Sequence, residues 1–175
     1  GLQRLAVWLA FSVPGLPAVY YGDEYGMEGL RDPFNRRSLQ KKDVGMAAVY
    51  RQAARLRQEA AVLRTGFAQY HALDEEVFAV HRFLLEGRDF FGEERTGRDM
   101  ALVWNRADRE KQIVLPFFES GEGVGEEQLP KLQAKRYLSA APREGGEVVP
   151  MADNRLELIL PPQSVLCYWL NEAAD

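Results

Sequence analysis

The sequence predicts an α/β segment over residues 1–66, followed by an all-β antiparallel sandwich over residues 67–175. In the first part, apolar residues recur at helical spacing on both sides of a short apolar run. After Gly66, the pattern changes to short extended runs separated by turn-forming residues, which is typical of a sandwich. These observations predict two domains with a boundary between residues 66 and 67.

Two helices are predicted in the first part. Residues 2–12 have their apolar side chains at helical spacing, and Pro14-Gly15 ends the pattern. A second helix begins at Asp43, a suitable N-cap, and ends near Gly66. The predicted buried faces consist of Leu2, Leu5, Ala6 and Leu9 in the first helix and of Met46, Val49, Tyr50, Ala53, Leu56, Ala60 and Leu63 in the second.

Between these helices, residues 17–21 are predicted to form a buried strand. The run is apolar without alternation, and a strand that is apolar on both faces is typical of a parallel sheet covered by helices. Helix, parallel strand, loop and helix form the repeat of a (β/α)8 barrel, and the chain holds about one and a half such repeats. We therefore expect residues 1–66 to be a helix-strand-helix part of a barrel.

The predicted strand has no neighbouring strands in this sequence. Unpaired buried backbone groups are costly, so we interpret the chain as a piece of a longer protein. We expect the strand to be hidden by rearrangement or by association with another molecule, most simply in a homodimer. A monomer with Val19 and Tyr21 open to solvent would contradict this expectation.

The loop after this strand contains one pair of side chains suited to binding a ligand, Asp32 and Arg36. Pro33 restricts Asp32 to an extended backbone. A carboxylate accepts from two neighbouring hydroxyls and a guanidinium offers a planar fork of donors, so the pair can bind a sugar diol. The alternative interpretation is a solvated turn with an ion pair of little energetic value.

Two motifs in this region carry a resemblance to a known family. They are Tyr20-Tyr21-Gly22-Asp23-Glu24 and Asp32-Pro33-Phe34-Asn35-Arg36-Arg37, separated by a glycine-rich spacer. The region resembles the eighth barrel strand and following loop of the α-amylase family (glycoside hydrolase family 13). It looks most like the neopullulanase, cyclomaltodextrinase and maltogenic amylase branch and similar pullulanases. It departs from many relatives at Phe34, where they carry Asp, and at Ser38-Leu39-Gln40, where they carry Pro-Trp-Gly.

The resemblance implies a role in α-glucan hydrolysis. In the family, the residues that match Asp32 and Arg36 contact a glucose unit on the non-reducing side of the cleaved bond. The nucleophile Asp, the acid/base Glu and a third Asp come from barrel strands four, five and seven, which would lie before Gly1. We therefore expect no catalytic residue in this chain and a structural role for Asp23 and Glu24.

The second part is predicted to contain about eight short strands. They cover residues 67–73, 77–85, 100–104, 112–117, 135–138, 147–150, 156–160 and 165–170. The first two strands are expected to form a hairpin, and so are the third and fourth. The resemblance implies that this part is the family's small all-β domain C. We expect it to be autonomous, with a core that includes Phe78, Val80, Leu102, Trp104, Ile113, Leu158 and Trp169.

Composition and spacing exclude several partners and sites. The net charge of -4 and the pI near 5.4 argue against a nucleic-acid surface, and no apolar stretch is long enough to span a membrane. His71 and His81 lack the spacing of a metal site, so we expect neither a metal nor a cofactor. The single Cys167 excludes an internal disulfide, is expected to be buried, and leaves the cellular compartment open.

The aromatic residues of the second part fall into two groups. Trp104, Tyr168 and Trp169 are expected to be core residues of the sandwich rather than a sugar-stacking surface. Phe90 and Phe91 lie in a charged loop, and we expect them to contact another domain or protein.

The sequence supports two interpretations of function. The preferred one is the C-terminal part of a hydrolase acting on starch, pullulan or cyclodextrin-type substrates, with its missing barrel as the main partner. The other is a non-catalytic carbohydrate-binding or structural module. Residues 1–66 argue against the module, because a free-standing module has no use for a buried parallel strand and its packing helices. A related transglycosylase is a variant of the first interpretation.

Overall fold

The structure is a computed structural model that describes residues 1–29, 31, 32, 35–118, 131 and 135–172. Within the described part of residues 1–66, the α-helices are Leu2–Ser12 (α1), Val44–Glu59 (α2) and Ala61–Thr65 (α3). A short 3-10 turn, Asp23–Tyr25, lies between α1 and α2. None of the described helices is long and apolar enough to cross a membrane.

The described part of residues 67–175 forms strands whose pairings are all antiparallel. The strands are Phe67–Ala72 (β1), Val77–Phe83 (β2), Met100–Asn105 (β3), Lys111–Pro116 (β4), Tyr137–Pro142 (β5), Val149–Pro150 (β6), Arg155–Leu160 (β7) and Ser164–Glu172 (β8). They form a six-stranded sheet in the order β1-β2-β3-β8-β5-β6 and a two-stranded sheet of β4 and β7. The predicted all-β antiparallel sandwich is confirmed, with its strands in the predicted order.

The hairpin of β1 and β2 is confirmed, but the predicted hairpin of the third and fourth strands is wrong. β3 pairs with β2 and β8, whereas β4 pairs with β7 in the other sheet. Asn105, at the end of β3, donates from Nδ2 to the carbonyls of Arg109 (2.8 Å), Pro161 (2.9 Å) and Leu160 (3.2 Å). The turn therefore carries the chain from one sheet to the other, and Asn105 joins the two sheets at that edge.

The six-stranded sheet is covered on both faces, as β3 shows. All six residues of β3 are buried. Ala101 and Val103 belong to the core between the two sheets, whose other members include Ala79, Phe83, Leu115, Leu156, Leu160 and Leu170. Met100, Leu102 and Trp104 belong to a second core, which the sheet forms with helix residues Leu5, Trp8, Phe11, Met46, Leu56 and Leu63. The sheet is thus the middle layer between the helices and the smaller sheet.

The predicted core residues divide between these two layers. Val80, Leu102 and Trp104 are buried on the helix side, whereas Ile113 and Leu158 are buried between the sheets. The remaining two, Phe78 and Trp169, pack partly buried against the helix-side core. The boundary between residues 66 and 67 and the autonomy of residues 67–175 stay predictions. Separating the two parts would expose a large apolar face of the sheet to water.

The helix over residues 2–12 is confirmed, but its predicted buried stripe is wrong. Leu5 is buried, whereas Leu2 and Leu9 are 57% and 37% exposed. The buried side consists instead of Leu5, Val7, Trp8, Phe11 and Ser12. The reason is that α1 packs against α2 and the sandwich, so the large Trp8 and Phe11 side chains decide which side faces the core.

The predicted buried strand over residues 17–21 is wrong for this chain. Residues 16–20 have no regular secondary structure and pair with no described strand. Val19 and Tyr21 are 45% and 44% exposed, which is the outcome that contradicts concealment by rearrangement. A barrel strand takes its hydrogen bonds from neighbouring strands, and the described part of the chain supplies none. Association with another molecule stays a prediction.

The second helical segment is confirmed, with a break that the sequence did not predict. The Asp43 carboxylate caps α2 by accepting from the Met46 amide at 2.9 Å, and extended backbone at Ala60 separates α2 from α3. Gly66 follows the last helical residue as predicted, but its backbone is extended rather than left-handed. A side chain at Gly66 would lie 2.6 Å from the Val62 carbonyl oxygen and 2.9 Å from that of Phe83, so close backbone approach requires glycine here.

Two buried arginines fix the end of α1 against the rest of the chain, and the first is Arg57 of α2. It is 8% exposed and donates from Nη1 to the carbonyls of Phe11 at 2.8 Å and Val13 at 3.2 Å. Nη2 donates to the carbonyl of Gly15. Because the last carbonyls of a helix lack partners within it, Arg57 satisfies groups that would otherwise be unpaired.

The second is Arg82 of β2, which is fully buried. Its guanidinium donates to the carbonyls of Ser12 (2.8 Å), Gly66 (2.8 Å) and Phe67 (3.1 Å). Burial lowers the pKa of Arg82 to about 10, so the group is still a cation at neutral pH. None of the ion pairs among the described residues involves Arg57 or Arg82. Carbonyl dipoles stabilise both charges.

We expect Arg82→Met to lower the free energy of unfolding by roughly 3 kcal/mol or more, because three carbonyls lose a buried donor. Urea unfolding followed by tryptophan fluorescence measures this change. Arg55→Met is the matched control, since it removes a cation from the exposed side of α2 and should cost at most about 0.5 kcal/mol. Equal losses in the two variants would contradict the role given to Arg82.

Candidate functional site

The candidate site is the loop between α1 and α2, and Tyr21 organises it. The Tyr21 hydroxyl lies 3.0 Å from the carbonyl oxygen of Asn35 and 3.2 Å from that of Arg37. A side chain of the motif at residues 20–24 therefore hydrogen-bonds to the backbone of the motif at residues 32–37. The Asp43 amide donates to the Tyr25 carbonyl at 3.2 Å, which ties the 3-10 turn to the start of α2.

Asp32 and Arg36 are brought together as the sequence predicted. Arg36 Nε lies 2.9 Å from Asp32 Oδ1, and the two side chains are 75% and 62% exposed. Pro33 and Phe34, which lie between them, are outside the described residues. An ion pair this exposed adds little to stability, so its side chains are available to a ligand at low cost to the fold.

Further polar groups surround the base of this loop. A hollow of about 200 Å³ is lined by Gly26, Met27, Glu28, Arg37, Gln40 and Lys42. Asn35 Oδ1 is buried and has no hydrogen-bond partner within the described part of the chain. Cations, a carboxylate and an amide on one loop can donate to and accept from the hydroxyls of a polyol.

Comparison with known proteins places this geometry in context. No model of a protein family matches the chain. Over 112 residues, covering 63% of the chain, it is 33% identical to the amylopullulanase of Thermoanaerobacter thermohydrosulfuricus, of which it spans 8%. Neopullulanase 2 of Thermoactinomyces vulgaris is 26% identical over 170 residues, which are 95% of this chain and 25% of that protein. An Anoxybacillus α-amylase structure superimposes over 99% of the chain with a TM-score of 0.70 and 21% identity, and the chain covers 33% of it.

The resemblance to the α-amylase family is confirmed. The chain spans a quarter or less of each of the two curated relatives named above. The structural match to the α-amylase shows that the described helices and sheets recur together in that fold. The part of Asp32 and Arg36 in binding glucose stays a prediction.

The acidic residues between α1 and the Asp32–Arg36 pair are Asp23, Glu24 and Glu28. Asp23 and Glu24 lie on the 3-10 turn, and Glu24 accepts from the Gly22 amide at 2.8 Å. This local hydrogen bond agrees with the structural role expected of Glu24. Glu28 is exposed in the loop. In the described part of the chain, no group of three or more His, Cys, Asp or Glu residues is placed to hold a metal ion.

The sequence missed a buried polar network that contains one of the two histidines. His81 Nε2 lies 2.8 Å from the Tyr137 hydroxyl, which donates to Asp99 Oδ2 at 2.5 Å. Lys135 Nζ lies at the same Asp99 oxygen at 2.5 Å, and Asp99 Oδ1 accepts from the Leu84 amide at 2.9 Å. Since the Tyr137 proton points to Asp99, His81 Nε2 carries the proton that it donates to Tyr137.

This network holds the sandwich together and is closed to substrate. His81, Tyr137 and Asp99 are 0%, 3% and 2% exposed. The His81 ring packs against Phe83, Phe117 and Phe118, so burial holds its pKa well below the usual value and the ring is neutral. Local sequence patterns could not indicate this role, because the partners of His81 in the network lie 18 and 56 positions away along the chain.

The carboxyl of Asp99 should make stability depend on pH. Burial raises the pKa of Asp99 to about 6, against the lowering effect of the Lys135 ammonium and the Tyr137 hydroxyl. Because this value exceeds the unfolded one of about 4, the folded chain binds the proton more tightly than the unfolded chain. The resulting contribution to stability is complete below about pH 4 and is lost as the pH rises through about 6.

We therefore expect wild type to become more stable relative to Asp99→Asn as the pH falls. Between about pH 7.5 and about pH 4.5, the difference in their free energies of unfolding should change by about 2 kcal/mol in favour of wild type. Urea unfolding at a series of pH values measures this difference. Asp108→Asn, at an exposed carboxyl, is the control and should show little shift. A difference between wild type and Asp99→Asn that stays constant over this range would contradict the prediction.

Proposed function

We propose that this chain is the C-terminal part of a longer glycoside hydrolase that acts on α-glucans. It supplies a substrate-binding loop with Asp32 and Arg36 and a stabilising β domain, residues 67–175. The catalytic carboxylates come from the rest of the longer protein. Residues 1–66 are the last helix-strand-helix part of its barrel, in which residues 17–21 pair with barrel strands.

One observation carries this proposal. The likeness to a neopullulanase runs along 95% of the chain but takes up only 25% of that enzyme. A chain that matches such an enzyme along nearly its whole length, but covers only a quarter of the enzyme, is what we expect of one part of a similar enzyme. The name of the relative refers to an enzyme of pullulan, which is an α-glucan, and we extend that substrate class to this chain.

The distribution of exposed apolar side chains supports the same proposal. Large apolar residues in the first 44 positions are unusually open to solvent, with Leu16 at 97% and Tyr20 at 59%. A groove of about 480 Å³ between α1 and the β1–β2 hairpin adds Leu2 and Leu9 to this surface. Exposed apolar side chains in this number are typical of an interface. A barrel in the longer protein would cover it.

The alternative of a non-catalytic carbohydrate-binding module accounts for this surface less well. A module that works alone would expose its ligand site and bury the remaining apolar side chains. Here exposed apolar residues are concentrated on α1 and on residues 16–21, although the sandwich also exposes Phe90, Phe91 and Ile159. A transglycosylase would need the same parts, so that variant shares the support given above.

The first prediction from this proposal is that the 175-residue chain alone does not hydrolyse starch, pullulan or cyclodextrin. A retaining glycosidase needs two carboxyl groups about 5 Å apart, and we place both outside this chain. Release of reducing sugar by the purified chain measures the activity. Activity that disappears when a carboxylate of the chain is replaced would overturn the proposal.

The second prediction concerns Arg36→Ala in the longer protein. Removal of a charged hydrogen bond to the substrate should cost roughly 1.5–3 kcal/mol, which lowers kcat/KM about ten- to a hundredfold. The loss should be large on maltotriose and longer substrates and small on those too short to reach the loop. Kinetics on a graded series of malto-oligosaccharides measure it.

The exposure of the ion pair provides a control for this experiment. Because Arg36 is 75% exposed, Arg36→Ala should change the stability of the protein by no more than about 0.5 kcal/mol. Arg51→Ala on the exposed side of α2 removes a comparable charge elsewhere and should leave kinetics unchanged. An equal loss at every substrate length would mean that Arg36 only shapes the loop.

A further inference from the structure

The loop from residue 85 to residue 95 holds two exposed phenylalanines. Phe90 is 64% exposed and Phe91 is 73% exposed, which confirms the exposure expected from the sequence. Their rings meet edge to face, with centroids 5.7 Å apart and an interplanar angle of 87°. The Phe90 ring also lies edge to face with Phe67 at 5.7 Å, so the pair stands directly on the sandwich.

An internal scaffold holds this loop in place. The buried Asp89 accepts at Oδ1 from the amides of Phe91 and Glu93, each at 3.0 Å, and its Oδ2 lies 3.0 Å from Arg95 Nε. The Phe90 amide donates to the Thr65 carbonyl at 2.9 Å, which anchors the loop to the end of α3. The two rings are therefore presented in fixed positions, although water surrounds most of their surface.

Two hollows flank the aromatic pair. One, of about 300 Å³, includes Pro14, Arg64, Phe67 and Tyr70 in its lining, and the other, of about 440 Å³, includes Glu86, Arg88 and Lys131. Both volumes lie in the range of small-ligand sites, roughly 300–1,000 Å³. Apolar rings and polar groups thus occur side by side on each flank.

The charges beside the second of these hollows favour a neutral ligand. Arg88 pairs with Glu94 at 2.8 Å, and Lys131 pairs with Glu86. Opposite charges that are already paired leave little net field to attract an ion, but they still donate to and accept from hydroxyls. A ligand that fits both the rings and this rim has an apolar face and a hydroxyl-bearing edge, which is the chemistry of a sugar ring.

We propose that Phe90 and Phe91 form a surface site that binds an α-glucan chain on a loop other than that of Asp32 and Arg36. The choice of an α-glucan rests on the proposed function. Phe91 stacks on the apolar face of a glucose unit, and the rim formed by Glu86, Arg88 and Lys131 meets its hydroxyls. The fixed backbone of the loop lowers the ordering cost of binding.

Affinity electrophoresis of the 175-residue chain in native gels containing amylopectin tests this proposal. We expect amylopectin to retard the wild type, and Phe91→Ala to raise the dissociation constant about tenfold, because it removes the most exposed ring. Phe91→Trp keeps an aromatic surface and should bind at least as well as the wild type. Ile159→Ala, at a residue that is 60% exposed on the smaller sheet, should bind like the wild type.

Three results would overturn the proposal. They are the absence of retardation in the wild type, equal binding by wild type and Phe91→Ala, and loss of self-association instead of glucan binding in Phe91→Ala. Arg36→Ala should keep the retardation, since Arg36 lies on the other loop. Failure of the proposed function would give a different result. The longer protein would then lack hydrolytic activity, while its binding of amylopectin would still depend on Phe91.

Discussion

The structure depends on two buried cations that are stabilised by carbonyl oxygens. Both contact the end of α1, Arg57 from the helix α2 and Arg82 from the strand β2. Burying a guanidinium is costly unless its donors are paired, and six carbonyls supply those pairs. The same carbonyls belong to the end of α1, to the residues that follow it and to the start of β1. The guanidinium groups and the carbonyl groups therefore satisfy each other, and the contacts of Arg82 couple the helical part to the sandwich.

The six-stranded sheet also joins the two parts of the chain, because it packs against the helices on one face and against the smaller sheet on the other. Trp104 of β3 packs among the helices and donates from Nε1 to the Leu5 carbonyl at 3.2 Å. Its neighbour Val103 packs between the two sheets. The boundary between residues 66 and 67 is thus a change of sequence pattern, while the packing is continuous across it.

Patterns that act over a few residues were predicted well from the sequence. The helices, the Asp43 cap and the eight strands depend on periodicity and local capping, which a short window of sequence contains. The strand over residues 17–21 and the pairing of β3 with β4 were predicted wrongly, because pairing depends on partners distant in sequence or absent from this chain. The buried face of α1 was missed for the same reason. At the candidate site, the proximity of Asp32 and Arg36 was predicted from a four-residue spacing, whereas the Tyr21 anchor was not.

The two loops that carry the functional proposals are built in different ways, and this bears on what each can do. The Asp32–Arg36 pair is exposed and held mainly through the Tyr21 hydroxyl, so contacts from a covering domain or a ligand can still set its final geometry. The Phe90–Phe91 loop is fixed by the buried Asp89 and needs no other domain to present its rings. A site that depends on a missing domain and a site that is complete within the chain should respond differently when the chain is studied alone. Sugar binding by the isolated chain would therefore report on the aromatic loop, whereas the ion pair shows its effect only in the longer protein.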